Sequence, residues 1–170
     1  MEGALYQMKN IPPGNHHPPD AGLPLSDTRQ LALAAELMGA ETEVELEQSI
    51  RKVMAQSTPT ALNFAHSPTG NALGGLLKGA IRKALPILNS QRFGRGKRRR
   101  QPGRQHFPAH TGRIFGMELE GLSPEDQEFE AAKQFVRFAG AATNTAARAS
   151  PAAHPLSRAK HATIAAARTM

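Results

Sequence analysis

Residues Gly116 to Ala142, GMELEGLSPEDQEFEAAKQFVRFAGAA, carry the most complete set of helix instructions in the chain. Ser123 is placed to accept hydrogen bonds from first-turn amides, and Pro124 stands where its missing N–H costs nothing. Glu125 and Asp126 set negative charge at the positive end of the helix dipole. Ser123 and Asp126 make a weak form of the capping box. Phe129, Ala132, Phe135, Val136, Ala139 and Ala142 then fall on one broad face, with Asp126, Glu130, Lys133, Gln134 and Arg137 opposite. This pattern predicts a surface helix over 124–147 that needs a cover on its apolar side.

Upstream, Ser26 or Asp27 can cap a helix running to Met38, with Leu31, Ala34, Ala35 and Met38 on one face and Gly39 as its stop. Thr42 and Glu45 have capping-box spacing for a second helix over 43–56, whose apolar positions are Val44, Leu46, Ile50, Val53 and Met54. Residues 26–56 therefore read as a helical hairpin. The spacing of Ala35 and Gly39 invites comparison with a DNA-binding helix-turn-helix. Thr42 and Glu45 occupy what should be apolar packing positions, however, and Glu43, Glu45 and Glu47 would meet phosphates with like charge.

Residues 57–67 read as a polar linker, after which the composition changes. Within 68–86, PTGNALGGLLKGAIRKALP, the residues Leu73, Leu76, Leu77, Ala80, Ile81 and Ala84 form an apolar stripe, with Lys78 and Arg82 on the far side and Lys83 at its border. Gly70 with Gly74, and Gly75 with Gly79, give two spacings that let another helix approach closely. Four glycines at about 1 kcal/mol each make this a poor helix unless some surface supports it. It reads either as a core helix with a basic outer face or as a cationic amphipathic helix for a membrane interface or a partner helix.

With no Trp, one Tyr and seven Phe among 170 residues, against 15 Gly and 13 Pro, the chain is short of large apolar side chains. The expected class is all-α: a small, loosely packed helical protein with long disordered segments that cannot offset their own ordering entropy. The disorder is expected in a proline-rich leader over 1–25, a basic segment over 87–115 and an Ala/Pro-rich tail over 149–170. In that tail Pro151 and Pro155 are breaks and 156–167 is at most a short Ala-rich helix. The capped amphipathic helix occupies 116–148.

The net charge of +7 is unevenly distributed. Met1 to Glu47 has two basic and eight acidic residues, Gln48 to Met117 has thirteen basic and no acidic ones, and Glu118 to Met170 has six of each. Such a chain can fold its acidic head onto its basic middle, or offer the middle to a polyanion. Arg95, Lys97, Arg98, Arg99, Arg100 and Arg104 are dense enough for sequence-independent nucleic-acid binding or contact with anionic lipid. Phe93 and Phe107 beside them are too sparse for a stacking platform.

Three stretches, LALAAELMGAETEVELEQSI, SPTGNALGGLLKGAIRKALP and FGMELEGLSPEDQEFEAAKQFVRFAGAA, resemble in this order the blocks of a group of small bacterial helical proteins with a glycine-rich centre and no known activity. The resemblance covers about half the chain. It implies a small helical protein whose glycine-rich segment suits membrane contact or self-association. Residues Leu88 to Arg113 depart from it, being arginine-rich and polar where Gly, Ala and Leu would be expected. A local shift of reading frame, resuming near Gly112, would produce such a segment, because Gly codons such as GGC read as Ala or Arg in the shifted frames. In that case the basic run would have no selected function.

No enzyme is expected, since no nucleophile has a base at a motif spacing, and Ser123 is better explained as a cap. No cofactor and no metal site are expected. His16 and His17 lack a third ligand, and Pro108 prevents the helix that would align His106 with His110. The N-terminal stretch lacks the pattern of a secretory signal and no apolar run is long enough to cross a membrane, which points to a cytoplasmic protein or one exported without a leader. The leading expectation is a non-enzymatic helical protein engaging an anionic membrane surface, a helical protein partner or a second copy of itself through the glycine-rich segment. Leu73, Leu76, Leu77 and Ile81 would insert while Lys78, Arg82 and Lys83 hold head groups. The alternative is nucleic-acid binding through Arg95 to Arg104.

Overall fold

A computed structural model describes residues 25–57, 61–85 and 121–170. Among them are six helices and no strand: α1 (Asp27–Gly39), α2 (Glu43–Gln56), α3 (Ala61–Ala65), α4 (Pro68–Ala84), α5 (Pro124–Arg148) and α6 (Pro155–Arg168). The protein is all-α. The expected disordered leader and the basic segment 87–115, with Arg95, Lys97, Arg98, Arg99, Arg100 and Arg104, lie outside the described residues, apart from Leu25.

Local chemistry sets the helix starts. At α2 the Glu45 amide donates to Thr42 Oγ1 at 3.2 Å, while Glu45 Oε2 accepts from the amides of Thr42 at 3.1 Å and Glu41 at 2.7 Å. These donors hold the Glu45 carboxyl below its ordinary value, the Glu41 amide most of all. At α5 the Asp126 amide donates to Ser123 Oγ at 3.1 Å, and Ser123 Oγ donates back to Asp126 Oδ2 at 2.8 Å. Ser67 caps α4 by accepting from the Gly70 amide at 3.0 Å. In α1, Ser26 holds the cap position without a side-chain bond.

α5 is the hub, packed against every other helix. Of its predicted apolar face, Ala132, Phe135, Val136, Ala139 and Ala142 are at 0% exposure and Phe129 is half-buried against them. Ala131, Phe138, Gly140, Thr143 and Ala146 are buried as well, so from residue 131 onward the covered side is broader than the spacing predicts, while Arg137 and Arg148 stay exposed. Thr143 tolerates burial because its hydroxyl donates to the Ala139 carbonyl at 2.7 Å. At Gly140 a Cβ would stand 3.3 Å from Ser57 Oγ and 3.6 Å from Leu25, so glycine lets the C-terminus of α2 come close.

Expectations in three regions need correction, the first being the hairpin 26–56. The inward face of α1 is Gln30, Leu33, Ala34 and Leu37, whereas Leu31 is 41% exposed and Ala35 is also exposed. From Leu31 to Met38 only Glu36 is polar, so two apolar stripes overlap, and Gln30 lies on the one that is buried. That side chain donates to the Leu25 carbonyl and accepts from Arg137 Nε on α5 at 2.5 Å, so an amide is buried with both ends satisfied. On α2, Val44 is 65% exposed and does not join Leu46, Ile50, Val53 and Met54 in the core.

The second correction concerns the linker 57–67, which contains α3. There the Ser67 hydroxyl donates to the Phe64 carbonyl at 2.7 Å and fixes a tight junction into α4. The third concerns the tail 149–170, which contains α6. Pro155 stands in its first turn, where proline is tolerated, and Ala159, Ala162 and Ala166 pack inward against α4 and α5. Arg158 donates to the carbonyls of Ala146 at 3.1 Å and Ala149 at 2.9 Å, closing the C-terminal end of α5.

Candidate functional site

The glycine-rich helix α4 has two unlike sides. Leu73, Leu77, Ile81 and Ala84 are at most 1% exposed, in the core, and Leu76 and Ala80 are half-buried against it. Proline at its first turn, the Ser67 cap, and Arg82 and Lys83 near its negative end stabilise a helix whose glycines oppose it. The tertiary partners α2, α3, α5 and α6 supply the support that the sequence demands.

Toward α2, the basic side of α4 meets the acidic side of that helix. Lys78 Nζ lies 2.7 Å from Glu43 and 3.5 Å from Glu47, and Arg82 pairs with Glu43. Glu47 also accepts from Arg51 at 3.0 Å. The Arg51 hydrogen bond and then the Lys78 charge hold the Glu47 carboxyl below its ordinary value. Part of the acidic head therefore folds onto the basic middle: Glu43 and Glu47 are the counter-charge of α4, and Glu36 pairs with Lys52 between α1 and α2. Lys83 is exposed.

Between α2 and α4 runs a groove of about 480 Å³. Its apolar floor comes from Ile50, Met54, Ala65, Gly70 and Gly74, and its rim from Glu47, Arg51, Asn71, Gly75 and Lys78. The glycines here do different work. A Cβ at Gly70 would lie 2.0 Å from the Phe64 carbonyl oxygen, so only glycine fits the α3–α4 junction. A Cβ at Gly74 would make ordinary contact with Met54 Sδ at 4.0 Å, and at Gly75 or Gly79 it would meet nothing within 4 Å. Asn71, Gly75, Gly79 and Lys83, four residues apart, are all exposed and form the outer ridge of α4.

The groove joins an apolar floor to a charged rim. Its one described carboxylate is engaged by two cations, and no hydroxyl or imidazole is among its described lining residues. Among the described residues no group of three or more His, Asp or Glu is placed to hold a metal, and no helix is long and apolar enough to cross a membrane. The histidine pairs 16–17 and 106–110 lie outside them.

Of the residues singled out from sequence for insertion, Leu73, Leu77 and Ile81 are drawn inward together, with Leu76 beside them. Lys78 and Arg82 are drawn onto α2, and only Lys83 stays on the outer ridge. Sequence reasoning missed the groove residues Arg51 and Asn71. The spacing of Glu47 and Arg51, four apart on one helix, was the available signal for the first; none existed for the second. Comparison with protein-family models, with curated proteins and with solved structures finds no match.

Proposed function

We propose that the chain is a non-enzymatic helical binding module that engages a partner helix through the outer ridge of α4 and the adjoining groove. The supporting observation is that Gly75 and Gly79 have open space where a side chain would go. The fold does not require these two glycines, and each weakens an exposed helix by about 1 kcal/mol relative to alanine. Their use is an approach surface on which a second helix can lie close. A partner helix is favoured over a bilayer for this segment because Leu73, Leu77 and Ile81 would have to leave the core to reach lipid.

A photo-crosslinking residue at position 79 is expected to capture a helical partner from cell extract, or a second copy of the chain in concentrated solution. Gly75→Leu should remove that product without changing the helical circular dichroism. Capture that persists in Gly75→Leu, or that yields only lipid, overturns the reading.

A second reading, sequence-independent nucleic-acid binding through Arg95 to Arg104, is favoured by the absence of any acid between Gln48 and Met117. Retention of duplex DNA that falls steeply with added salt supports it. Retention unchanged after Arg98, Arg99 and Arg100 are replaced by alanine removes it.

A further inference from the structure

Residues Ala131 to Met170 contain six basic residues and no acidic one. Three have structural tasks. Lys133 lies 2.7 Å from Glu130, Arg137 holds Gln30 and stands 3.6 Å from Asp27, and Arg158 caps α5. The other three, Arg148, Lys160 and Arg168, are exposed and have no acidic partner among the described residues. Two of these are on α6.

α6 buries Ala159, Ala162 and Ala166. At 100° per residue, the position opposite that stripe is Ile164, which is 54% exposed. Lys160 stands one turn before it and Arg168 one turn after, His161 lies beside it, and Leu156, 40% exposed, flanks the same face. A lone exposed isoleucine carries no message. This one is centred between two cations that have no acidic partner among the described residues, on a helix without a single acid. That is the arrangement of an interfacial helix, in which a short aliphatic side chain enters between head groups while the neighbouring cations reach lipid phosphates.

From this geometry we infer that the outer face of α6 docks on a bilayer surface rich in anionic lipid. A nucleic-acid backbone would use Lys160 and Arg168 but leave Ile164 in water; a lipid surface uses all three. The site is separate from the ridge of α4, on the helix packed beside it.

The chain has no cysteine, so single thiols can be placed at will. The test uses the full chain with Arg98, Arg99 and Arg100 replaced by alanine, so that the basic run does not hold the vesicles. An environment-sensitive fluorophore is attached through Ile164→Cys or, separately, Gly79→Cys. With vesicles of phosphatidylcholine and phosphatidylglycerol, the label at position 164 should shift to the blue and the label at 79 should not. Vesicles of phosphatidylcholine alone should shift neither. The unlabelled chain with Lys160→Glu and Arg168→Glu should bind the anionic vesicles at least about tenfold more weakly, and Ile164→Asp should weaken binding without altering circular dichroism.

A label at 164 that stays solvent-like on bound vesicles overturns the inference. So does affinity unchanged by the double charge reversal, absence of vesicle binding, or a response of that label to duplex DNA alone. The helix-docking reading of α4 stands or falls separately, by capture at position 79.

Discussion

α4 and α6 lie against each other and both are basic, yet their side chains are disposed in opposite ways. α4 sends Leu73, Leu77 and Ile81 inward and keeps Gly75 and Gly79 outside; α6 sends Ala159, Ala162 and Ala166 inward and keeps Ile164 outside. Large side chains on one helix and small ones on the other let the pair fill a core without overpacking. The charges divide in the same way. Lys78 and Arg82 are neutralised by Glu43 and Glu47, whereas Lys160 and Arg168 have no acid beside them among the described residues. A cationic amphipathic sequence is therefore no guide to which helix meets an outside surface, because that depends on whether a neighbour supplies the counter-charge and the apolar cover.

The sharpest way to break this contrast is to truncate one aliphatic on each helix. Leu77→Ala, at 0% exposure, should cost about 2–5 kcal/mol in denaturant unfolding, whereas Ile164→Ala should stay within about 0.5 kcal/mol. Similar losses at the two sites would mean that α4 is not the inward partner. The glycines give the next largest effect. Gly70→Ala places a methyl against the fixed carbonyls of Phe64 and Ala65 and should cost about 1–3 kcal/mol. Gly75→Ala enters open space and should raise stability by up to about 1 kcal/mol.

Smaller effects come from charge. Glu43→Gln should cost under about 1 kcal/mol, and the loss should shrink as salt is added, because the pairs are partly exposed. Acid sharpens the same point. Glu45 and Glu47 have carboxyls held below their ordinary value of 4.5, so their contribution is fully present above that pH and is lost as pH falls through their folded values. The melting temperature should decline as pH falls below about 5, with a smaller decline in Glu47→Gln.

The parts of this fold legible in the sequence were those written in short-range chemistry. The pairs Thr42 with Glu45 and Ser123 with Asp126 state where helices begin within four residues, and α2 starts and ends where its pattern predicts. The phase of α1 was not legible: two overlapping apolar stripes exist, and the choice between them depends on Gln30 reaching Arg137, 107 residues away. α6 was hard to recognise because its inward face is only alanine, which gives a weak periodic signal until a neighbour's leucines are known. The candidate site was half legible. The spacing of the stripe on α4 was readable, but that it points inward, that Lys78 and Arg82 close onto α2 and that Lys83 stays outside are tertiary facts.

Thiol reactivity at two positions of α4 tests the central claim most directly. In the cysteine-free chain, Leu77→Cys and Gly79→Cys place one thiol on each side of the helix, two residues apart. With a small alkylating reagent under native conditions, the thiol at 79 should react as fast as in an unfolded peptide and the thiol at 77 only as fast as the protein opens. Equal fast reaction at both positions, in a chain whose helical content is unchanged, would contradict an inward apolar stripe and an outward glycine ridge.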